Sequence, residues 1–310
     1  MDKRVPITLA VIAIIAVSAG VYYTTQQQEE KNDKLVVVAS FYPLAYMAEQ
    51  IGGDKVEITA LIEPGVEVHS WQPSAGDIIN CSDADVIIYN GVGLDTWLQD
   101  EIIPSIDTTG KVIVDTTQTV TLFESTEEEE IEEHGVYDPH TWLSPYEAKQ
   151  QAEAIYDALV EADPDNTDYY TTRWETLSDK LTALDESYTT QLQGKTKTTI
   201  FVTHDAFGYI ARRYGFEQEG IIGISADEQP STQTLTDIID LMQQTDTYTF
   251  YIEPGYSDIY VQTVKTELET RTGKTVQILT LYHLNGPQGD LDYIEQMENN
   301  LESLRLGLGS

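Results

Sequence analysis

Cysteine is almost absent from this sequence, which contains a single example, Cys81. One cysteine cannot form an internal disulfide, and it cannot build a thiolate metal site, which needs several sulfur ligands. Cys81 stands among apolar residues in the segment DIINCSDADVII, a setting that predicts a small buried side chain. Any transition metal held by this chain must therefore be bound by nitrogen and oxygen atoms.

Basic residues are also scarce. The chain has 17 Lys and Arg against 53 Asp and Glu, a formal net charge of −36. Nucleic-acid binding depends on Lys and Arg side chains that neutralise phosphates, so this balance excludes a nucleic-acid partner. An acidic surface favours solubility, and it also raises the local concentration of divalent cations.

The first 34 residues differ in composition from the rest of the chain. Lys3 and Arg4 precede an apolar run, residues 5–23, which has about the 20 residues needed to cross a bilayer as a helix. The basic flank before this run and the acidic chain after it place the N-terminus inside the cell and the remainder outside. We predict an N-terminal membrane anchor and tether over 1–34 at the extracytoplasmic face. The alternative is a cleaved signal peptide and a periplasmic or secreted protein.

Apolar runs of strand length alternate with helical patterns along the remaining sequence. The predicted strands are 34–39, 56–62, 86–89, 112–114, 199–202, 219–222, 249–252 and 275–279. The helical patterns between and after them are 44–51, 75–81, 96–103, 206–214, 235–244, 261–272 and 291–304. This β-α-β order predicts an α/β protein with mainly parallel sheets, arranged as two lobes.

One long helix is predicted between the two lobes. Pro164 marks its start, and apolar side chains then recur at spacings of three and four as far as Leu192. A helix of about 28 residues spans roughly 40 Å. We therefore predict an N-terminal lobe over 35–160, a connecting helix over 161–194 and a C-terminal lobe over 195–310.

The sequence has only five histidines: His69, His134, His140, His204 and His283. His69 follows the predicted strand 56–62 through a short loop, and His204 directly follows the strand segment TIFVT. Open α/β sheets bind ligands at such strand ends. His140 precedes the helix that begins near Pro145. We expect His69, His140 and His204 to meet in the cleft between the lobes and to hold a metal ion through imidazole nitrogens.

Each imidazole ligand needs a partner for its second ring nitrogen, and nearby carboxylates can supply it. The candidates along the sequence are Asp138, Asp205 and Glu67. Trp71 and Trp142 each follow a proposed ligand by two residues, and they are candidates for excluding water from the site.

Several segments resemble the zinc- and manganese-binding solute receptors of ABC importers, the ZnuA/TroA type. The resemblance runs from about residue 35 to 304 and is carried by SFYPLAYMAEQIGGDKVEITALIEPGVEVHSWQPSAGDI, ADVIIYNGVGLDTWL, DPHTWLSPYEAKQQAEAIYDALVEADPDNTDYY, FVTHDAFGYIARRYGF, GISADEQPS and FYIEPGYSD. It implies two α/β lobes joined by a long helix, with His69, His140 and His204 as metal ligands between them. It also implies delivery of a divalent metal to an ABC permease. We expect a monomer.

The third proposed ligand, His204, bears on which metal is bound. Manganese-type members of the family tend to have glutamate where this chain has His204. Three imidazoles suit zinc, whereas a carboxylate-rich set suits manganese. We therefore predict Zn²⁺ as the bound substrate, with Mn²⁺ or iron as the alternative.

The fourth ligand stays open at this point. The resemblance implies a carboxylate from the segment QILTLYHLNG, where Thr280 occupies the expected position. Water is the first candidate, His283 the second, and a carboxylate from the acidic loop 124–134 the third. That loop holds seven glutamates between positions 124 and 133. It is predicted either to collect cations for the cleft or to be a solvated loop.

A zinc ion with three histidines and one open position also describes catalytic sites. The sequence contains no HExxH, no GxSxG and no glycine-rich phosphate loop. We predict a transport receptor and no enzyme, with a zinc-dependent hydrolase or an adhesin as the other possible classes.

Overall fold

The computed structural model describes residues 34–124, 136–223 and 229–310. The predicted membrane anchor, His134 and nearly all of the acidic loop lie outside these residues. Within the described part of the chain, no helix has both the length and the apolar character needed to cross a membrane.

The N-terminal lobe contains a sheet of four parallel strands in the order β2-β1-β3-β4. The strands are β1 (Leu35–Ala39), β2 (Val56–Ala60), β3 (Val86–Tyr89) and β4 (Val112–Asp115), with the helices α1 (Tyr42–Gly52) and α2 (Ala75–Asp83) between them. Every residue of β3 is buried. A continuous apolar run of this kind is typical of a strand covered on both faces, which is why the parallel sheet could be predicted.

Two helices follow this sheet and lead to the C-terminal lobe. They are α3 (Pro145–Ala162) and α4 (Thr167–Gln191), separated by a 3₁₀ turn over Pro164–Asn166. That turn makes α4 begin three residues after the predicted start, and α4 has 25 residues instead of 28. Its length is therefore about 38 Å.

The C-terminal lobe contains two pairs of parallel strands, β5 with β6 and β7 with β8. Its elements are β5 (Thr199–His204), α5 (Gly208–Tyr214), β6 (Glu217–Ile222), α6 (Thr232–Gln244), β7 (Thr249–Ile252), α7 (Ile259–Thr272), β8 (Gln277–Thr280) and α8 (Tyr293–Leu308). Strand β5 lies beside β7. These sheets and their helices confirm the predicted α/β class.

The connecting helix α4 is packed along one stripe. Its buried side chains are Tyr170, Leu177, Leu181, Leu184 and Tyr188. It contacts α1 and α3 on one side and α8 on the other. The hydroxyl of Tyr188 donates to the carbonyl oxygen of Met297 in α8 at 2.7 Å, which ties α4 to the C-terminal lobe.

One large hydrophobic cluster runs from β1 to α8 through both lobes, and a second cluster lies among the strands and helices of the C-terminal lobe. Residues Leu35–Ser310 form one compact unit by their contacts. The boundaries at 160/161 and 194/195 stay a prediction.

One predicted helix has a different form. The segment predicted as helix 96–103 is a π-type turn over Leu98–Ile102 followed by a 3₁₀ turn over Ile103–Ser105. Pro104 has no backbone N–H and its ring clashes with the carbonyl four residues earlier, so regular α-helical bonding cannot continue through it. A second difference concerns His204, which is the last residue of β5 and does not follow it.

Candidate metal centre

His140 is held by Asp138 within the short Asp-Pro-His turn that precedes α3. Its side chain is almost completely buried, and its Nδ1 lies 2.8 Å from Oδ1 of Asp138. The same oxygen accepts the backbone N–H of His140 at 2.9 Å, so both the ring and the backbone are fixed. Burial raises the pKa of Asp138 to about 7, although the hydrogen bond from His140 opposes the rise. The carboxylate holds Nδ1, so Nε2 is the nitrogen positioned to coordinate a metal.

His69 lies in the loop between β2 and α2, and its ring is next to that of His140. Its Nε2 is 3.2 Å from Nε2 of His140, and the two ring centroids are 5.1 Å apart. Two imidazole nitrogens that share a tetrahedral zinc at about 2.05 Å lie roughly 3.3 Å apart. The observed spacing therefore fits two ligands of one zinc ion.

His204 reaches the same place from the C-terminal lobe. It ends β5, only 2% of its surface is exposed, and its ring centroid is 5.5 Å from that of His140. Its Nδ1 lies 2.7 Å from Oε2 of Glu253, the buried residue that follows β7. Burial alone would lower the pKa of His204, but the carboxylates of Glu253, Glu67 and Asp205 together outweigh burial and the net pKa is raised. His204 thus also has a carboxylate oxygen next to Nδ1, as a close ion pair without the hydrogen-bond geometry that His140 and Asp138 have.

The segment after β8 lies at the edge of this cluster. His283 is buried, and its ring is 4.8 Å from that of Tyr256, which is itself 5.5 Å from the ring of His204. Burial lowers the pKa of His283 to about 4, so this imidazole is neutral at pH 7. Among the described residues, its Nδ1 and Oδ1 of the buried Asn285 have no hydrogen-bond partner. Thr280 is the half-buried last residue of β8 and is paired with Ile252 of β7.

The three predicted histidines are therefore neighbours, but the supporting residues differ partly from those predicted. Asp138 supports His140 as expected. Glu67 accepts the backbone N–H of His69 at 3.0 Å. The sequence interpretation missed Glu253, which became visible as a partner of His204 because β7 lies beside β5. Its signal in the sequence was an acidic residue directly after a buried strand.

Trp142 contacts the site as predicted, whereas Trp71 packs elsewhere. The ring of Trp142 is 5.2 Å from that of His140, and its Nε1 donates to the carbonyl oxygen of His283 at 3.0 Å. Trp71 packs against Trp97 with ring centroids 4.5 Å apart. In the ranges 34–124, 136–223 and 229–310, no group of three or more His, Cys, Asp or Glu side chains is arranged so that it could hold a metal ion. The ligand set therefore stays a prediction.

Residues 37–307 match the family of ZnuA, described as zinc-uptake complex component A, periplasmic. The chain belongs to the ZnuA family. The resemblance derived from the sequence is thus confirmed over nearly the whole of the described chain.

Proteins similar to this chain align with most of its sequence. The high-affinity zinc uptake system protein ZnuA of Bacillus subtilis (strain 168) is 33% identical over 286 residues, which cover 88% of this chain and 87% of that protein. The Zn(II)-bound ZnuA-like domain of Streptococcus pneumoniae AdcA has a TM-score of 0.74 and 28% identity, covering 89% of this chain and 100% of that one. The laminin-binding protein Lmb of Streptococcus agalactiae, described as bifunctional with adhesin and metal transporting activity, has a TM-score of 0.78 and 30% identity. It covers 89% of this chain and 99% of that one.

Replacing Glu253 by glutamine is expected to weaken metal binding by this ZnuA-family chain about 10-fold to 100-fold at neutral pH, the usual effect of removing a ligand's supporting carboxylate. In the wild type the raised pKa of His204 lets protons compete with the metal, so affinity falls as pH drops below that pKa. Without the Glu253 carboxylate the pKa falls, and the pH at which affinity declines moves lower. Competition titration with a chelator across pH measures both effects.

The matched control is Glu298→Gln on the exposed face of α8, which is expected to leave affinity and its pH dependence unchanged. Equal affinities for Glu253→Gln and the wild type would show that this carboxylate does not support a ligand.

Proposed function

We propose that this chain is an extracytoplasmic receptor that captures Zn²⁺ between its lobes and delivers it to an ABC-type permease. The observation that carries the proposal is the 3.2 Å separation of Nε2 of His69 from Nε2 of His140, with the ring of His204 next to them. Names of relatives agree with it, since the Bacillus subtilis protein is a zinc uptake protein and the Streptococcus pneumoniae domain is Zn(II)-bound.

In this proposal Nε2 of His69, His140 and His204 coordinate the ion. The carboxylates of Asp138 and Glu253 hold Nδ1 of two of these rings, at 2.8 Å and 2.7 Å. Carboxylates that bind Nδ1 raise the basicity of the imidazoles. Because they do not bind the metal, they add no hard oxygen ligand to the site. A set of imidazole nitrogens favours zinc over manganese, with manganese as the alternative substrate.

Water completes the coordination in the favoured form of the proposal, and His283 is the second candidate. His283 is buried, and its low pKa keeps it neutral, which is the state that a metal ligand requires. If His283→Ala lost as much zinc affinity as His69→Ala, His283 would be identified as the fourth ligand. An unchanged affinity would indicate that water occupies the fourth coordination position.

The cellular setting follows from the N-terminal segment and from the family. We propose that residues 1–34 anchor the protein at the outer face of the cell membrane, or are cleaved to release it, in keeping with a family described as periplasmic. The long connecting helix α4, packed against both lobes, favours a modest closure around the ion. Docking on the permease then releases the metal.

Metal analysis of the purified protein is the test of this function. We expect one zinc ion per chain, retained against about a hundredfold molar excess of Mn²⁺ because imidazole sites bind zinc much more tightly than manganese. His69→Ala and His204→Ala are each expected to bind this zinc more weakly than the wild type. Unchanged affinity and stoichiometry in both variants would show that the proposed site is wrong. Hydrolytic turnover by the zinc-loaded protein, abolished by His140→Ala, would instead favour an enzyme.

A further inference from the structure

Glu67 connects the loop that carries His69 to the C-terminal lobe. The hydroxyl of Tyr256 donates to Oε2 of Glu67 at 2.6 Å. The other oxygen of this carboxylate, Oε1, accepts the backbone N–H of His69 at 3.0 Å. One carboxylate therefore bridges a proposed ligand from the N-terminal lobe and a tyrosine from the C-terminal lobe.

Tyr256 is also in contact with the C-terminal half of the site. Its ring meets that of His204 edge to face at 5.5 Å and lies 4.8 Å from the ring of His283. Its backbone N–H donates to the carbonyl oxygen of Glu253 at 3.3 Å, and the carboxylate of Glu253 holds His204. The turn 253–256 thus contacts both His204 and, through Glu67, His69.

The three proposed ligands differ in how firmly they are held. His140 and His204 are buried, and each ring is fixed by a carboxylate. His69 is only half-buried, and the residues before it, 63–66, are exposed. The position of His69 therefore depends on a few contacts of its loop. Two of these cross between the lobes: the backbone N–H of Gly65 donates to the carbonyl oxygen of Asn285 at 3.1 Å, and Glu67 accepts from Tyr256. Only the second acts on the residue that binds the backbone N–H of His69.

We propose that the hydrogen bond between Tyr256 and Glu67 is a latch that holds His69 at the metal and sets the rate of metal release. This inference rests on the proposed function, since two of the proposed ligands come from the N-terminal lobe and one from the C-terminal lobe. An ion held in this way leaves when His69 moves away from His204, and that movement requires the latch to break. Tyr256 is a positioning residue, acting on His69 through Glu67.

The variant Tyr256→Phe removes one oxygen atom and keeps the ring that packs against His204 and His283. Zn²⁺ is expected to dissociate from it into excess chelator about tenfold faster than from the wild type, the usual effect of losing a hydrogen bond to a charged acceptor. The association rate is expected to stay the same, because the metal enters while the latch is open. Stopped-flow mixing with a zinc-sensitive chelator measures both rates.

The matched control is Tyr46→Phe in α1. The hydroxyl of Tyr46 donates to Oδ2 of Asp292 at 2.9 Å, so it too joins the lobes through a tyrosine and a carboxylate. Its ring contacts are with Tyr42 and Tyr293, not with a histidine. Both variants are expected to lower the unfolding temperature of the metal-free protein slightly, whereas only Tyr256→Phe accelerates zinc release.

Glu67→Gln tests the other side of the same contact. It is expected to accelerate zinc release as well, and the double variant Tyr256→Phe/Glu67→Gln is expected to be no faster than the faster single variant, since both remove one interaction. Release from Tyr256→Phe at the wild-type rate, equal acceleration in Tyr46→Phe, or multiplying effects in the double variant would each overturn the latch alone. A wild-type protein that binds no zinc overturns the proposed function and the latch together.

Discussion

Replacing His140 by alanine is expected to weaken zinc binding about a hundredfold to a thousandfold. A four-ligand zinc site provides roughly 10–16 kcal/mol, so one ligand accounts for about 2.5–4 kcal/mol of it. His140 lies between the other two proposed ligands, 3.2 Å from His69 by the Nε2 atoms and 5.5 Å from His204 by the ring centroids. Its loss also leaves the buried carboxylate of Asp138 without the ring that it holds. We therefore expect the largest loss of affinity at this residue.

Competition titration against a chelator of known affinity measures this loss, and far-UV circular dichroism shows whether the variant is folded. The control is His134→Ala, the same substitution at a histidine in the acidic segment, which is expected to keep the wild-type affinity. If a folded His140→Ala variant bound zinc as tightly as the wild type, the three-histidine site would be wrong.

Replacing Trp142 by alanine is expected to lower the free energy of unfolding by about 3–5 kcal/mol, the usual cost of deleting a large buried aromatic side chain. The Trp142 side chain is 1% exposed, and its ring meets that of Phe41 edge to face at 4.8 Å. Its Nε1 donates to the carbonyl oxygen of His283, and its own carbonyl oxygen accepts the hydroxyl of Tyr293. Trp142 therefore holds the turn of His140 against the C-terminal lobe, and its loss leaves a cavity there.

Urea denaturation of the metal-free protein measures the change in stability. The variant Trp142→Phe separates packing from hydrogen bonding, because it keeps an aromatic ring and removes the N–H donor. Its free energy of unfolding is expected to fall by about 1–3 kcal/mol, since the carbonyl oxygen of His283 loses its donor. Ile79→Ala on α2, where the side chain is 60% exposed, is the control and is expected to change stability by less than about 0.5 kcal/mol. A Trp142→Ala variant as stable as this control would contradict the buried, bridging role of Trp142.

Much of the fold could be predicted because its signals are local. The run VIIY predicts a strand covered on both faces, and all four residues of β3 are buried. The apolar spacing after Pro164 predicts a long helix with one buried stripe, which α4 has. The errors are local as well. Pro104 interrupts α-helical bonding, and the 3₁₀ turn at Pro164–Asn166 delays the start of α4.

The sequence by itself determined the candidate ligands of the site. With one cysteine and five histidines, few residues could supply a sulfur or nitrogen ligand, and His69 and His204 stand at or soon after strand ends. Because open α/β sheets bind ligands at their strand ends, these histidines could be expected to meet if the two lobes face each other. The composition also argues against nucleic-acid binding, because a net charge of −36 leaves few Lys and Arg side chains to neutralise phosphates.

Only the tertiary structure decided which distant groups contact those histidines. Glu253 is 49 residues from His204, and the two meet because β5 and β7 lie side by side. Glu67 and Tyr256 are 189 residues apart and meet across the lobes. A pattern in the sequence reports the period of one element, whereas these contacts depend on how separate elements pack. The candidate ligands, and the partner of His140 two residues away, could therefore be predicted from the sequence, whereas the partner of His204 depends on long-range packing.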